Sequence, residues 1–373
     1  MLKKSVKKTM AVLLAGVLLA GCGGQPAFLP EEDHPVPTGT PASAAERWEK
    51  ISWLDDEAIY LAGRENENAN DSSLVVARYT LEDGRFNVVL QEPWPDVDLR
   101  CFEGSRIGDD KVVFTGDTFL IFSADDTFDE KIELDEYYIN MTDYNSQKQQ
   151  LAFVEQTSLD LCVFCMEEQT IQVVFDATTT DEDAENSCIP YYPKQSPNGD
   201  KIACIVSPGD LAMYNSLVCV ITEGEELFTI SPIDKPEGSS IIDPYLAWWN
   251  GNLVLIQTNE IENEWYGTVQ VFDGNDGQLL DSFRFDGNLV CMGNGICSDG
   301  KIPFVSFDVE EWRYDVGVVN LNEKMIQVCY AQVPKNQEDW KIVSDVAISP
   351  AGEKLALIED NDLIIVPCEK AIK

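Results

Sequence analysis

An all-β fold of small sheets repeated around an axis is what the sequence predicts, and three observations predict it. Ser-Pro-x-Gly-x-Lys-aliphatic-Ala occurs twice, as Ser196-Pro197-Asn198-Gly199-Asp200-Lys201-Ile202-Ala203 and as Ser349-Pro350-Ala351-Gly352-Glu353-Lys354-Leu355-Ala356. The apolar residue that opens the strand after each such turn aligns through the chain at Ala58, Val112, Leu151, Ile202, Leu253, Ile302 and Leu355, at steps of 54, 39, 51, 51, 49 and 53 residues. Helical periodicity is nearly absent, with Ala44 to Glu49 the one modest helix candidate. A period of about fifty residues suits a four-stranded sheet as the repeating unit. The prediction is a β-propeller of about seven four-stranded blades, with six or eight also compatible.

In chain order, residues 1–21 read as a signal peptide: Lys3, Lys4, Lys7 and Lys8 precede an apolar run from Met10 to Ala20, too short to span a bilayer as a permanent helix. Leu19-Ala20-Gly21-Cys22 resembles the lipobox of bacterial lipoproteins. The resemblance implies cleavage before Cys22, a diacylglycerol on that cysteine, and attachment to the extracytoplasmic face of the cell membrane, where several acyl chains hold far better than one. Residues 22–43 form a tether in which Pro26, Pro30, Pro35, Pro37 and Pro41 prevent regular hydrogen-bonded structure. Residues 44–373 are left for the propeller.

Within the units, Ser73 to Tyr79 pairs with Arg85 to Leu90 across the turn at 81–84, and Thr268 to Phe272 with Gln278 to Phe283 across 273–277. The last unit has three evident strands, Val343 to Ile348, Glu353 to Glu359 and Leu363 to Val366. Closure of the ring is therefore expected to borrow a strand from just after the tether, since an open sheet edge invites pairing with other chains. These turns and strands resemble TolB-type and WD-like propeller repeats, whose common form is Ser-Pro-Asp-Gly-Lys followed by an aliphatic strand. Two units match well and three more in part, over nearly all of the chain after the tether. The resemblance implies a fold and transfers no activity.

The formal charge of −40 becomes −44 once the four lysines of the leader are removed. Such a field excludes nucleic acid and anionic lipid as partners and favours cations or basic proteins. Apart from Cys22, the cysteines fall mostly inside apolar strands and read as buried thiols. Cys162 and Cys165 have zinc-knuckle spacing, but three residues apart on a strand their sulfurs point to opposite faces. Cys204 and Cys219 belong on neighbouring strands, where a bridge is conceivable.

His34 is the only histidine and sits in the tether, which excludes serine–histidine and cysteine–histidine nucleophile systems from the domain. Gly-rich phosphate loops are missing, and Asp273-Gly274-Asn275-Asp276-Gly277 reads as a hairpin turn rather than a calcium loop. No catalytic residue, metal ligand or cofactor is assigned. The turns between first and second strands share one face with the third-to-fourth turns and are short. The opposite face collects the expected long loops 64–72, 207–216, 259–267 and 308–315 with the connections 92–98 and 177–193, and with them the aromatics Trp94, Tyr191, Tyr192, Tyr214, Trp265, Tyr266, Trp312 and Tyr314. Rings beside carboxylates suit a glycan or a basic protein segment. The expected function is an envelope binding module for a protein or glycan. The alternative is a carbohydrate-active hydrolase or lyase using Asp and Glu in the central funnel, for which two acidic side chains converging there above a ring of aromatics would speak.

Overall fold

The computed structural model describes residues 45, 47–65, 73–93, 103–107, 111–115, 118–134, 139–155, 157–177, 188–208, 217–222, 225–230, 240–261, 264–286, 289–293, 296–297, 299–308, 313–332 and 341–368. Cys22, the leader and the tether lie outside them, as do Trp94, Tyr214 and Trp312. No helix among the described residues is long and apolar enough to cross a membrane.

The strands form seven antiparallel sheets. Blade one holds β1 (Arg47–Trp53), β2 (Ala58–Arg64), β3 (Ser73–Thr80) and β4 (Arg85–Pro93), and blade two β5 (Glu103–Ile107), β6 (Lys111–Thr115), β7 (Thr118–Ser123) and β8 (Phe128–Glu133). Blade three holds β9 (Ile139–Asn145), β10 (Gln150–Glu155), β11 (Leu161–Cys165) and β12 (Thr170–Phe175), and blade four β13 (Cys188–Gln195), β14 (Lys201–Pro208), β15 (Leu217–Thr222) and β16 (Glu225–Ile230). Blade five holds β17 (Ser240–Trp249), β18 (Asn252–Ile261), β19 (Glu264–Phe272) and β20 (Leu279–Asp286), and blade six β21 (Leu289–Met292), β22 (Lys301–Asp308), β23 (Arg313–Asn320) and β24 (Met325–Gln332). Blade seven has three strands among the described residues, β25 (Val343–Ile348), β26 (Lys354–Glu359) and β27 (Asp362–Pro367). The seven aligned apolar residues of the sequence open the second strand of each blade, or stand one residue inside it. The propeller with seven blades is thereby confirmed.

Buried side chains gather between blades rather than within them. One cluster joins Tyr60 and Leu74 of blade one to Phe114 and Phe122 of blade two, and the same construction recurs at every junction round the ring. The seventh cluster closes it, packing Trp48, Ile51 and Trp53 of β1 against Ala347, Ile358 and Leu363 of blade seven. Here one expectation is corrected. The segment Arg47 to Glu49 is strand, not helix, because Trp48, Ile51 and Trp53 bury against this seam. β1 pairs with β2 in blade one, and among the described residues the seam with blade seven is made by packing and hydrogen bonds; the strand expected to complete blade seven lies outside the described residues. Ile51 N donates to Asp345 Oδ2 at 2.9 Å, Trp53 Nε1 to Ala347 O at 3.1 Å and Trp48 N to Asn361 Oδ1 at 2.7 Å.

The loop contrast between the faces is weaker than the sequence suggested. Strands β18 and β19 run on until Ile261 faces Glu264, leaving two residues between them where a loop over 259–267 was expected. The second-to-third connections of blades two and seven are equally tight, while those of blades one and four are long.

Candidate functional site

The innermost strands line the axis, and most of them break register just ahead of a polar residue. Breaks fall before Lys50 in β1, Thr142 in β9, Lys194 in β13, Tyr245 in β17 and Asp345 in β25. A bulge shifts side-chain alternation by one and re-aims the next residue. Met141 and Tyr192 carry the positive φ that these bulges need, at 51° and 52°.

Three blades meet at Lys194. Its Nζ lies 3.2 Å from Asp143 Oδ1 of blade three and 3.5 Å from Glu103 Oε2 of blade two. Asp143 Oδ2 also accepts from Gln195 N at 2.7 Å, and Gln195 Nε2 donates to the Asp143 carbonyl at 2.7 Å. Burial works against the Lys194 ammonium, but Glu103 and Asp143 outweigh it and hold its pKa above the usual lysine range. Burial raises the Glu103 carboxyl above its ordinary value, with Lys194 opposing. Asp345, buried at the seam, is likewise raised by burial, opposed by the Lys50 charge and by the backbone N–H groups of Ile51 and Val346. Two carboxylates do converge in the funnel, and a lysine stands between them. A cavity of about 290 Å³ lies among blades six, seven, one and two, lined by Ser52, Ser105, Arg106, Cys297 and Ser349 among others.

The short-turn face is laced from blade to blade, and the motif residues do the lacing. Asn145 Nδ2 donates to Ser196 O at 2.7 Å and Pro197 O at 3.1 Å, from blade three to the Ser-Pro turn of blade four. Lys201 Nζ reaches Gly274 O and Asn275 Oδ1 of blade five, each at 2.8 Å. That ammonium occupies acceptors of the loop with calcium-like composition. Lys324 pairs with Asp281 across blades five and six at 2.7 Å. Lys301 Nζ donates to Gly352 O of blade seven at 2.8 Å, and Lys354 Nζ to Asp56 O at 2.8 Å and Glu57 Oε1 at 3.1 Å, returning to blade one. Arg78 and Asn87 share Asp126 between blades one and two. Gly199 and Gly352, at φ 67° and 74°, permit the turns to lie this close: a Cβ on Gly199 would stand 2.4 Å from Lys148.

The aromatic candidates are divided by the fold. Tyr191 and Tyr192, expected in an inter-blade connection, lie on the innermost strand of blade four, half-buried with ring centroids 6.5 Å apart, because β13 starts as early as Cys188. Trp265 and Tyr266 start β19, and Tyr314 lies in β23, at the long-loop end of neighbouring blades. Tyr266 is only 5% exposed, with the Arg284 guanidinium 3.6 Å above its ring, and so packs under the surface. Trp265 and Tyr314 are half-buried, the Tyr314 ring packing at a tilt against Phe307 with centroids 4.9 Å apart. The axial set of Glu103, Asp143, Lys194 and Asp345 was not singled out from sequence. The signal for it is a charge inside an inner strand, as in Pro193-Lys194-Gln195, and among 66 acids it is hidden.

Of the cysteines whose side chains are described, Cys162, Cys204, Cys219, Cys297, Cys329 and Cys368 are buried as expected and Cys165 is half-buried. Cys204 and Cys219 are direct cross-strand partners, both buried and not joined by a disulfide.

No protein-family model and no curated protein matches the chain. Solved structures do. An oligogalacturonate lyase from Vibrio parahaemolyticus aligns at 12% identity over 93% of this chain and 97% of its own, with a TM-score of 0.58. The β-propeller domain of Myceliophteria thermophila Cps50 (Swd1) aligns at 9% identity over 89% of this chain and 99% of its own, with a TM-score of 0.57. A puromycin-hydrolyzing peptidase of Mycobacterium tuberculosis aligns at 12% identity over 93% of this chain and 56% of its own, also at 0.57. At such identities the likeness establishes the β-propeller fold, shared here by enzymes and by WD40-type domains, and nothing finer.

Proposed function

We propose that the chain is a bacterial lipoprotein, anchored through Cys22 on the extracytoplasmic face of the cell membrane, whose propeller binds an envelope protein or glycan through the face opposite its Ser-Pro-x-Gly turns. The observation that carries this reading is the lacing of the short-turn face, where Asn145, Lys201, Lys301 and Lys354 spend their polar groups on neighbouring blades. The opposite face keeps the long connections of blades one and four and the half-buried rings of Trp265, Tyr314 and Phe307. A formal charge of −40 before processing directs the choice of partner towards basic protein segments or neutral sugars. The test is capture of envelope components by the immobilised protein and by its Trp265→Ala/Trp312→Ala variant. Loss of capture in the variant is expected, and equal capture overturns the assignment of the face. Incorporation of labelled fatty acid is expected in the unaltered chain and not in Cys22→Ser; label retained in that variant refutes the anchor.

A second reading, a carbohydrate-active enzyme, is favoured by one observation: Glu103, with a raised pKa, and Asp143 face one another across Lys194 in the funnel. A group so shifted is a candidate proton donor. The overall charge disfavours a polyanionic substrate such as the Vibrio enzyme's name indicates, leaving neutral glycans. Chain cleavage of an envelope glycan, abolished by Glu103→Gln, would install this reading. Without cleavage, the triad is a tie between blades.

A further inference from the structure

The junction between blades six and seven holds a pair of thiols that neither the binding reading nor the fold requires. Cys329 lies at the register break of β24, between the pairs Val316–Tyr330 and Gly317–Val328. Cys368 directly follows β27, the outer described strand of the three-stranded blade. Both point into the apolar cluster shared by the two blades and are buried, at 8% and 6% exposure. Gln327 touches both residues: its carbonyl accepts from Cys329 Sγ at 3.8 Å, and its Nε2 donates to the Cys368 backbone carbonyl at 3.3 Å. The two thiols also share a hydrogen bond, which together with burial pushes the Cys368 thiol far up.

We propose that Cys329 and Cys368 form a disulfide as the exported chain folds, stapling the last blade to its predecessor. The inference rests on the export reading for its compartment, since such bridges persist in oxidising surroundings. The reaction is exchange with a small-molecule disulfide. The thiolate of Cys368 attacks one sulfur and expels a small thiolate, forming a mixed disulfide. The thiolate of Cys329 then attacks the Cys368 sulfur and expels the second. Two protein thiols are oxidised, one small disulfide is reduced, and the two protons of the protein thiols end on the two expelled small thiolates. Burial in the closed cluster disfavours the Cys368 thiolate, so the step belongs to folding, before the two blades pack together. The loop closed spans about 40 residues, long enough for the cross-link to restrict the unfolded chain appreciably.

The experiment refolds the reduced full-length chain in mixed reduced and oxidised glutathione, alkylates it, and maps it by mass spectrometry without reduction. Expected are a linked peptide pair joining Cys329 to Cys368 and a thermal midpoint about 5–10 °C above that of Cys329→Ser/Cys368→Ser. Alkylation of both thiols overturns the proposal, as does linkage of Cys368 to Cys297, the third thiol of the cluster. If the serine variant fails to fold, mapping of the unmutated chain decides alone. Glutathione supplies the oxidising conditions in the tube, so a negative map strikes the bridge and not the anchor. Failure of fatty-acid labelling strikes the anchor and leaves the map valid.

Discussion

At the scale of single residues, neighbours in sequence play different parts because strand alternation divides them. Trp265 and Tyr266 look alike in the sequence, yet one is half-exposed at the start of β19 and the other lies at 5% exposure beneath Arg284. Tyr266→Ala is therefore expected to cost about 3 kcal/mol in urea unfolding, and Trp265→Ala less than about 1 kcal/mol. Equal costs would place Trp265 in the core. Gly267 makes the same point: the Phe285 ring crosses it so closely that a Cβ would stand 1.7 Å away. Sequence reasoning could flag the aromatic pair but could not assign their faces, because the register that decides this is set by pairing with β18 and β20.

At the scale of elements, the recurring turn is an inter-blade fastener. Lys201 and Lys354 each donate to a backbone carbonyl and a side-chain oxygen of the next blade. Replacing either by Met is expected to cost about 1–2 kcal/mol and to speed hydrogen exchange in the turn it holds, 273–277 or 54–57. Unchanged exchange would show that the lysines are ornaments of the surface. The axial triad should behave more severely. Lys194→Met leaves Glu103 and Asp143 facing each other without their cation and is expected to cost about 3 kcal/mol. Adding Glu103→Gln should recover part of that loss, and a strictly additive double variant would deny that they interact. The turns were legible because Gly and Pro fix local geometry. The triad was not, since Lys194 lies 51 positions from Asp143 and 91 from Glu103 and meets them only when the ring forms.

At the scale of the whole molecule, charge makes stability depend on pH in two opposed windows. Glu103, Asp345 and Glu359 have carboxyls raised by burial, so ionising them disfavours the folded state; stability gains as pH falls from above their folded pKa values towards the ordinary carboxylate range of about 4. Asp129 and Asp281 are held low by hydrogen bonds from Lys111 and Lys324. Their contribution is complete above the ordinary value and is lost as pH falls through the lowered one, and it is small because both are exposed to solvent. A thermal midpoint that rises on mild acidification and falls in strong acid is the expected profile in differential scanning calorimetry; a monotonic fall from neutrality would contradict it. By itself the sequence determined the repeat, its period and the turn positions, because Ser-Pro-x-Gly turns and apolar strands are local instructions read within a few residues. Tertiary structure decided how the ring closes at the first and last blades, which rings are buried, and that Lys194 gathers two carboxylates at the axis. Those are contacts between distant segments, and their energies depend on burial and register that exist only once the blades are packed together.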